Sequence, residues 1–351
     1  MLHGGEIYDK EIELDFSVNL NPYPCPQAVK DSILEAVTFI DRYPDIRQEE
    51  FRKKVAESEN RFLKVNFLTF ENVLGGNGAS ELLFAIMRML DPKKVLIPVP
   101  SFFGYRHALT PCNNAIITEY PLKEEEDFAI TEDFVKKLDD GYDLVILANP
   151  NNPTGRCIDN EILHKIIKKT GERDAALVID ECFLKLTDCT TSAAAYLNKC
   201  SRLFVVNAYT KLFSIPGVRV GYVLASWDNI NSLRNYLPEW NMSVFAQNAG
   251  RACADILLAN DYIRMTTDYI KEQRDKLSRT FEAKVCKVYP SDTNFFLVKS
   301  DENLYEHFLQ EKILIRDCAN FVGLSKGFYR IAVKTEKENL RIMELLQSGI
   351  V

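Results

Sequence analysis

A lysine stands among hydroxyl and apolar residues in Tyr209-Thr210-Lys211-Leu212-Phe213-Ser214-Ile215-Pro216-Gly217-Val218-Arg219-Val220-Gly221-Tyr222, just after the apolar run Leu203–Val206. A lone lysine is commonly a solvated one. Held in an apolar crevice, it sheds its proton and can form a Schiff base with a carbonyl. Arg219, further along the stretch, could offer a guanidinium fork to an anion. Asp180-Glu181 closes the run Leu177–Ile179. A carboxylate there can pair with a cation or cap the next segment. Asn149-Pro150-Asn151-Asn152-Pro153-Thr154-Gly155 follows the run Leu144–Ala148. Its prolines and glycine make a rigid loop, either a plain turn or one that aims an asparagine into a crevice. Gly75-Gly76-Asn77-Gly78-Ala79-Ser80-Glu81 opens a helix. Such a start can cradle a phosphate, or it is a Gly-rich turn with Ser80 as cap. Its spacing fits neither the P-loop nor the dinucleotide fingerprint.

Taken together, the four stretches supply a phosphate cradle, a ring-facing amide, a carboxylate for a pyridinium and an amine for an aldehyde. Pyridoxal 5′-phosphate asks for those four functions.

The elements that must hold these residues can be read from the apolar pattern. Val95–Val99, Leu144–Ala148, Leu177–Ile179, Leu203–Val206 and Val220–Leu224 are continuous apolar runs, as expected of strands buried on both faces. Between them Ala79–Leu90, Asp159–Lys169 and Asp228–Leu237 read as helices, an alternation that predicts a mostly parallel α/β sheet. After Trp240 the pattern changes to long helices, Ala246–Leu258 and Tyr262–Ala283, then strands Phe295–Val298, Ile313–Arg316 and Tyr329–Val333, then a helix Glu336–Gln347. We therefore expect a large domain over 41–240 and a small α+β domain over 241–351. The Pro-rich residues 1–40 form no evident strand set and are expected to pack on the small domain or a neighbouring subunit.

Composition excludes several classes. The 351 residues are 46% hydrophobic and 26% charged, as in a globular chain, and a net charge of −7 argues against a nucleic-acid or anionic-membrane surface. No apolar run reaches the length of a membrane span, and the first residues lack a signal-peptide pattern, so a cytoplasmic location is expected. The nine cysteines are scattered without a C-x-x-C. A zinc site or disulfide framework is not expected, and no metal is.

On the stretches 149–155 (NPNNPTG) and 210–222 (TKLFSIPGVRVGY), with Asp180 between them, the chain resembles the fold-type I pyridoxal-phosphate enzymes of the class I/II aminotransferase family. The likeness runs from His3 to the last helix. It implies a large domain with a mostly parallel sheet of seven-stranded type flanked by helices, a small α+β C-terminal domain, and a homodimer with a shared active site. It also implies that Lys211 carries the cofactor, Asp180 pairs with the ring nitrogen, Asn152 bonds the ring 3′-oxygen and Phe102 stacks on the ring. Ala79, Ser80, Thr210 and Arg219 would hold the cofactor phosphate, and Tyr43 would reach the phosphate of the neighbouring subunit. Arg330 matches the arginine that binds a substrate carboxylate or phosphate. A non-catalytic domain would not need Lys211 with its supporting set.

Two subgroups are close: threonine-phosphate decarboxylase of cobalamin synthesis, and histidinol-phosphate aminotransferase of histidine synthesis. The opening His3-Gly4-Gly5, the apolar Leu20, Phe183 in place of a tyrosine, and the stretch Ile315–Phe321 lean toward the first. That resemblance implies CO2 release from a small phosphorylated amino compound, with Arg330 on the carboxylate and Arg316, His3 and Asn21 on the phosphate. The alternative implies amino transfer to 2-oxoglutarate.

Overall fold

The computed structural model describes residues 4–112, 114–189, 191–284 and 287–348. His3, one of the expected phosphate ligands, lies outside them. In chain order the strands are β1 (Leu14–Asp15), β2 (Val73–Gly76), β3 (Lys94–Val99), β4 (Ile116–Pro121), β5 (Leu144–Ala148), β6 (Ala176–Asp180), β7 (Leu203–Ala208) and β8 (Gly221–Ala225). They are followed by β9 (Lys287–Val288), β10 (Phe295–Lys299), β11 (Ile313–Leu314), β12 (Arg316–Asp317) and β13 (Phe328–Ala332). A seven-stranded sheet runs β2-β8-β7-β6-β5-β3-β4. Pairing from β7 to β4 is parallel, and β8 is antiparallel to both its neighbours.

Alternation explains why these strands look apolar throughout. On β5 to β7, Val145, Leu147, Leu177, Ile179, Leu203 and Val205 enter one core. Their sequence neighbours Leu144, Ile146, Ala176, Val178, Phe204 and Val206 enter another on the opposite face. Each face is covered by helices, among them Glu49–Leu63 and Val244–Ala259 on the first and Ala79–Leu90 on the second. Every parallel strand therefore ends its buried run at the same sheet edge, where side chains can meet a ligand.

A second sheet, β12-β13-β10-β9, is antiparallel. Its core joins Phe296, Val298 and Ile331 to Leu277, Phe281, Ile342 and Leu346 from two helices. Residues beyond 240 divide between the two cores. Ala249, Cys253 and Ala254 pack with Phe51 and Val55 against the large sheet, whereas Leu277 and Phe281 belong to the small one.

The run expected as one strand over 313–316 divides at Ile315. Ile313 and Leu314 pair in parallel with Leu14 and Asp15, and Arg316 and Asp317 turn to pair with Arg330 and Tyr329. Among the described residues no helix is long and apolar enough to cross a membrane.

Beneath the large sheet lies a buried polar network. Lys185 Nζ is 2.8 Å from Glu59 Oε1, with side-chain exposures of 5% and 2%. Tyr222 Oη donates to the same Glu59 oxygen. The network ties helix Glu49–Leu63 to β8 and to the segment after β6. Removing one partner strands the other charge in a low-dielectric interior, at a cost of about 3–5 kcal/mol. Lys185→Met should therefore lower the denaturant midpoint sharply, and Lys185→Met combined with Glu59→Leu should recover most of the loss. Equal destabilisation by the single and double variants would show that the pair is not the source.

Candidate active site

The carboxyl ends of the parallel strands open into a cavity of about 770 Å³. The structure brings Ala79, Ser80, Phe102, Asn152, Asp180, Thr210, Lys211, Arg219, Arg316 and Arg330 to its wall. It does not bring Asn21 or Tyr43 there. Asn21 Nδ2 donates to Leu212 O at 2.7 Å and is spent on holding the Lys211 segment. Asn19 lines the cavity instead, and its buried Oδ1 has no hydrogen-bond partner. Tyr43 is 77% exposed and stacks on Trp240 with ring centroids 4.6 Å apart.

At one end of the cavity, helix Ala79–Leu90 starts from Gly78, which supplies no side-chain cap. Ser80 is thus inside the first turn and does not cap the helix. The uncapped N–H groups and the positive end of the helix dipole face the space where Arg219 arrives. A Cβ built on Gly78, whose φ is +81°, would lie 2.4 Å from Arg219 Nη2. Glycine therefore lets the guanidinium lie against the helix start. Arg219 is itself left-handed, with φ 59°, and donates to Pro216 O at 3.1 Å. Amide donors, two hydroxyls and a guanidinium converge there, a donor set suited to a phosphate.

Asp180 closes β6, and both readings of it hold together. Oδ1 accepts the backbone N–H of Cys182 at 2.9 Å, a turn-capping bond. Oδ2 accepts the phenol of Tyr105 at 2.8 Å and borders the cavity. The next side chain, Glu181, points away. It accepts from Ser192 Oγ and Ala193 N, and burial pushes its pKa up to about 7. Strand alternation thus decides which acid of the pair meets the cavity.

Lys211 sits in the short helix Tyr209–Leu212 that follows β7. Burial foremost, together with the Arg330 and Arg219 cations and against Cys182 and Asp180, lowers its pKa to about 8. Phe102 lies edge-on to Tyr105 with centroids 5.6 Å apart, and a Cβ on Gly104 would press within 2.1 Å of its ring.

On the facing wall Arg316 and Arg330 are direct partners on adjacent strands. Arg330 donates to Asn152 Oδ1 at 2.5 Å and to Ser17 O at 2.6 Å, and its buried Nε lacks a partner. Burial lowers its pKa to about 10. Arg316 donates to Asn320 Oδ1 at 2.8 Å. Asn19, Tyr105 and Asn320 were not among the residues expected from the sequence. Tyr105 lies one helical turn past Phe102, which is the only hint the chain offers.

A cavity lined by a phosphate cradle, a carboxylate and a buried amine, on a fold-type I scaffold, belongs to a pyridoxal-phosphate enzyme. The family model for class I and II aminotransferases matches residues 11–346, and the chain belongs to that family. It is 34% identical to a Caldanaerobacter subterraneus protein assigned as a threonine-phosphate decarboxylase, over 98% of this chain and 93% of the other. It is 30% identical to the histidinol-phosphate aminotransferase of Methanocaldococcus jannaschii, over 95% and 88%. The crystal structure of the histidinol-phosphate aminotransferase from Clostridium acetobutylicum superposes with a TM-score of 0.85 at 30% identity, covering 96% of this chain and 99% of that one. Pyridoxal phosphate is the cofactor of this family. The residues present fit it, as the helix start at Gly78 and Arg219 shows.

The neutral amine is the nucleophile, so attachment of a carbonyl to Lys211 should rise with pH and level off above about 8. Arg330→Met removes a cation that lowers this pKa and should move the inflection to higher pH. The check is borohydride trapping of cofactor on Lys211 across pH, read by mass spectrometry. Labelling of a different lysine would contradict the assignment.

Proposed function

We propose that this enzyme releases CO2 from a small phosphorylated amino acid, O-phosphothreonine being the preferred substrate. The observation that carries the reading is the Arg316–Arg330 pair, set side by side on the wall facing Lys211. A carboxylate and a phosphate on one substrate need two cationic anchors, and adjacent strands hold theirs about 5 Å apart. In this reading Arg330 takes the carboxylate and Arg316, with Asn19 and Asn320, takes the phosphate. Anchoring both anions would fix the orientation of the substrate at Cα.

Bound pyridoxal phosphate supplies an aldehyde and an electron sink for a bond broken at Cα. The chain does the rest. Ala79, Ser80, Thr210 and Arg219 bind the cofactor phosphate. Asp180, held by Tyr105 and the Cys182 amide, stays positioned as the carboxylate opposite the ring nitrogen. Asn152 keeps Nδ2 toward the cavity while Arg330 engages its Oδ1. Lys211 holds or moves a proton at Nζ. Phe183 brings no hydroxyl to the cavity.

The alternative, amino transfer from histidinol phosphate, draws on the histidinol-phosphate aminotransferases that the chain resembles. CO2 from O-phosphothreonine without a 2-oxo acid is the expected outcome. Arg316→Ala should weaken turnover of phosphorylated substrate roughly ten- to hundredfold, as expected for loss of one charge-assisted bond, and affect unphosphorylated threonine far less. Amino transfer to 2-oxoglutarate from histidinol phosphate, with no CO2 released, would overturn the reading.

We also propose a cytoplasmic homodimer. Leu34, Ile40 and Tyr43 are 66%, 65% and 77% exposed, and with Val37 and Ile46 they recur every third residue. An apolar row of this kind calls for a covering surface. In this reading the exposed Tyr43 reaches a partner's cofactor phosphate. Ile40→Asp should give a folded monomer that loses cofactor on dilution, checked by sedimentation and absorbance. An unchanged dimer would place the interface elsewhere.

A further inference from the structure

Strands β2 and β8 run from one edge of the large sheet to the other. At one end Gly76 pairs with Gly221, beside the helix start suited to the cofactor phosphate. At the other end Val73 pairs with Leu224, and a second cavity of about 370 Å³ opens there. It shares no lining residue with the active-site cavity. Arg47, Arg52 and Arg234 line it, and among the described residues none of the three guanidinium groups has a carboxylate partner. Arg52 is 4% exposed. It donates from Nε to Val73 O at 2.6 Å and from Nη1 to Arg47 O at 3.2 Å, and its Cζ lies 5.2 Å from the centre of the Phe70 ring. Two carbonyls and a ring fix its plane, and among the described residues its Nη2 makes no hydrogen bond. Burial and then the Arg234 cation lower the Arg52 pKa to about 10, against Glu71, Asp45 and Glu49. A buried guanidinium with an unused donor and a second cation nearby calls for an anion.

The rest of the wall says what else that anion carries. Trp227, Ile230, Asn231 and Arg234 recur at i, i+3, i+4 and i+7 along helix Trp227–Arg234, and all four line the cavity. One helical face thus presents an indole and a guanidinium two turns apart, about 10 Å along the axis. Trp227 is 54% exposed, an open platform for a flat ring. Two carboxylates share the wall. Glu49 is held by Lys53 at 2.7 Å, whereas Glu71 makes no ion pair among the described residues and is left as an acceptor. We propose that this cavity is a second ligand site and binds a nucleoside monophosphate, with the phosphate on Arg47, Arg52 and Arg234, the base on Trp227 and the ribose hydroxyls toward Glu71. Inorganic phosphate would leave Trp227 and Glu71 unused. Pyridoxal phosphate shares the ring and the phosphate but has no sugar diol to donate to Glu71.

The test is equilibrium dialysis of the cofactor-loaded protein against labelled adenosine 5′-monophosphate at low salt, with inorganic phosphate, adenosine and added pyridoxal phosphate as competitors. We expect one saturable site per chain, with each competitor bound at least about tenfold more weakly, since each lacks one of the three contacts. Arg234→Glu should weaken nucleotide binding by about tenfold or more. Trp227→Ala should weaken it several-fold and leave competition by inorganic phosphate as it was. Arg316→Ala, in the other cavity, should leave nucleotide binding unchanged. Arg234 and Trp227 are both exposed, and circular dichroism establishes that each variant is folded. Absence of saturable binding to folded wild type at millimolar nucleotide would overturn the proposal. So would binding that survives Arg234→Glu but is lost in Arg316→Ala, or inorganic phosphate or pyridoxal phosphate binding as tightly as the nucleotide.

Discussion

Cations outnumber carboxylates in the wall of the active-site cavity of an acidic chain. Lys211, Arg106, Arg219, Arg316 and Arg330 line it against Asp180 and Glu119, and Arg106 already pairs with Glu119 at 2.9 Å. Like charges that share a sequestered space raise one another's energy, and the acidic exterior does little to relieve them at that depth. The cavity is thus built to be completed by anions. Burial is the main cause of the depressed lysine and arginine, and the neighbouring cations add to it for the lysine.

Much of this was legible in the chain because the chemistry sits where the apolar runs stop. Lys211, Asp180 and Asn152 each follow a buried strand, so a pattern of strands and interruptions already pointed at one edge of one sheet. Ala79–Leu90, Leu144–Ala148 and Glu336–Gln347 begin and end where their apolar spacing does. What escaped was set by partners distant in sequence. Asn21 and Asn19 carry the same amide two residues apart. Only the contact of Asn21 with Leu212 decides which of them turns inward. The strand Ile116–Pro121 is half-exposed at the sheet edge, and it lacks the continuous apolar signature of its neighbours. The split at Ile315 depends on two different partner strands that no local pattern announces.

Selectivity within this family turns on small rearrangements around a shared core, and here the arrangement is set by one antiparallel register. A slip of one residue between β12 and β13 would turn Arg316 to the opposite face from Arg330. The pairing of Cys318 N with Phe328 O beyond the two arginines helps hold that register. The side-by-side placement of two guanidinium groups is in this sense a property of backbone pairing as much as of side-chain choice.

The opening strand has a consequence for biogenesis. Leu14 and Asp15 pair with Ile313 and Leu314, Phe16 enters the small core, and Ser17 O receives Arg330. Residues 14–17 therefore wait for residues 313–330 before they find their partners. Closing so long a loop is slow relative to forming the seven-stranded sheet, whose strands lie closer together in the chain. During synthesis the large sheet can form around Lys211 while the wall bearing Asn19, Arg316 and Arg330 is still unmade. A nascent chain would then hold the amine and the phosphate cradle before it can bind and orient a substrate, so reactivity toward amino compounds arrives only once residues 313–330 are in place.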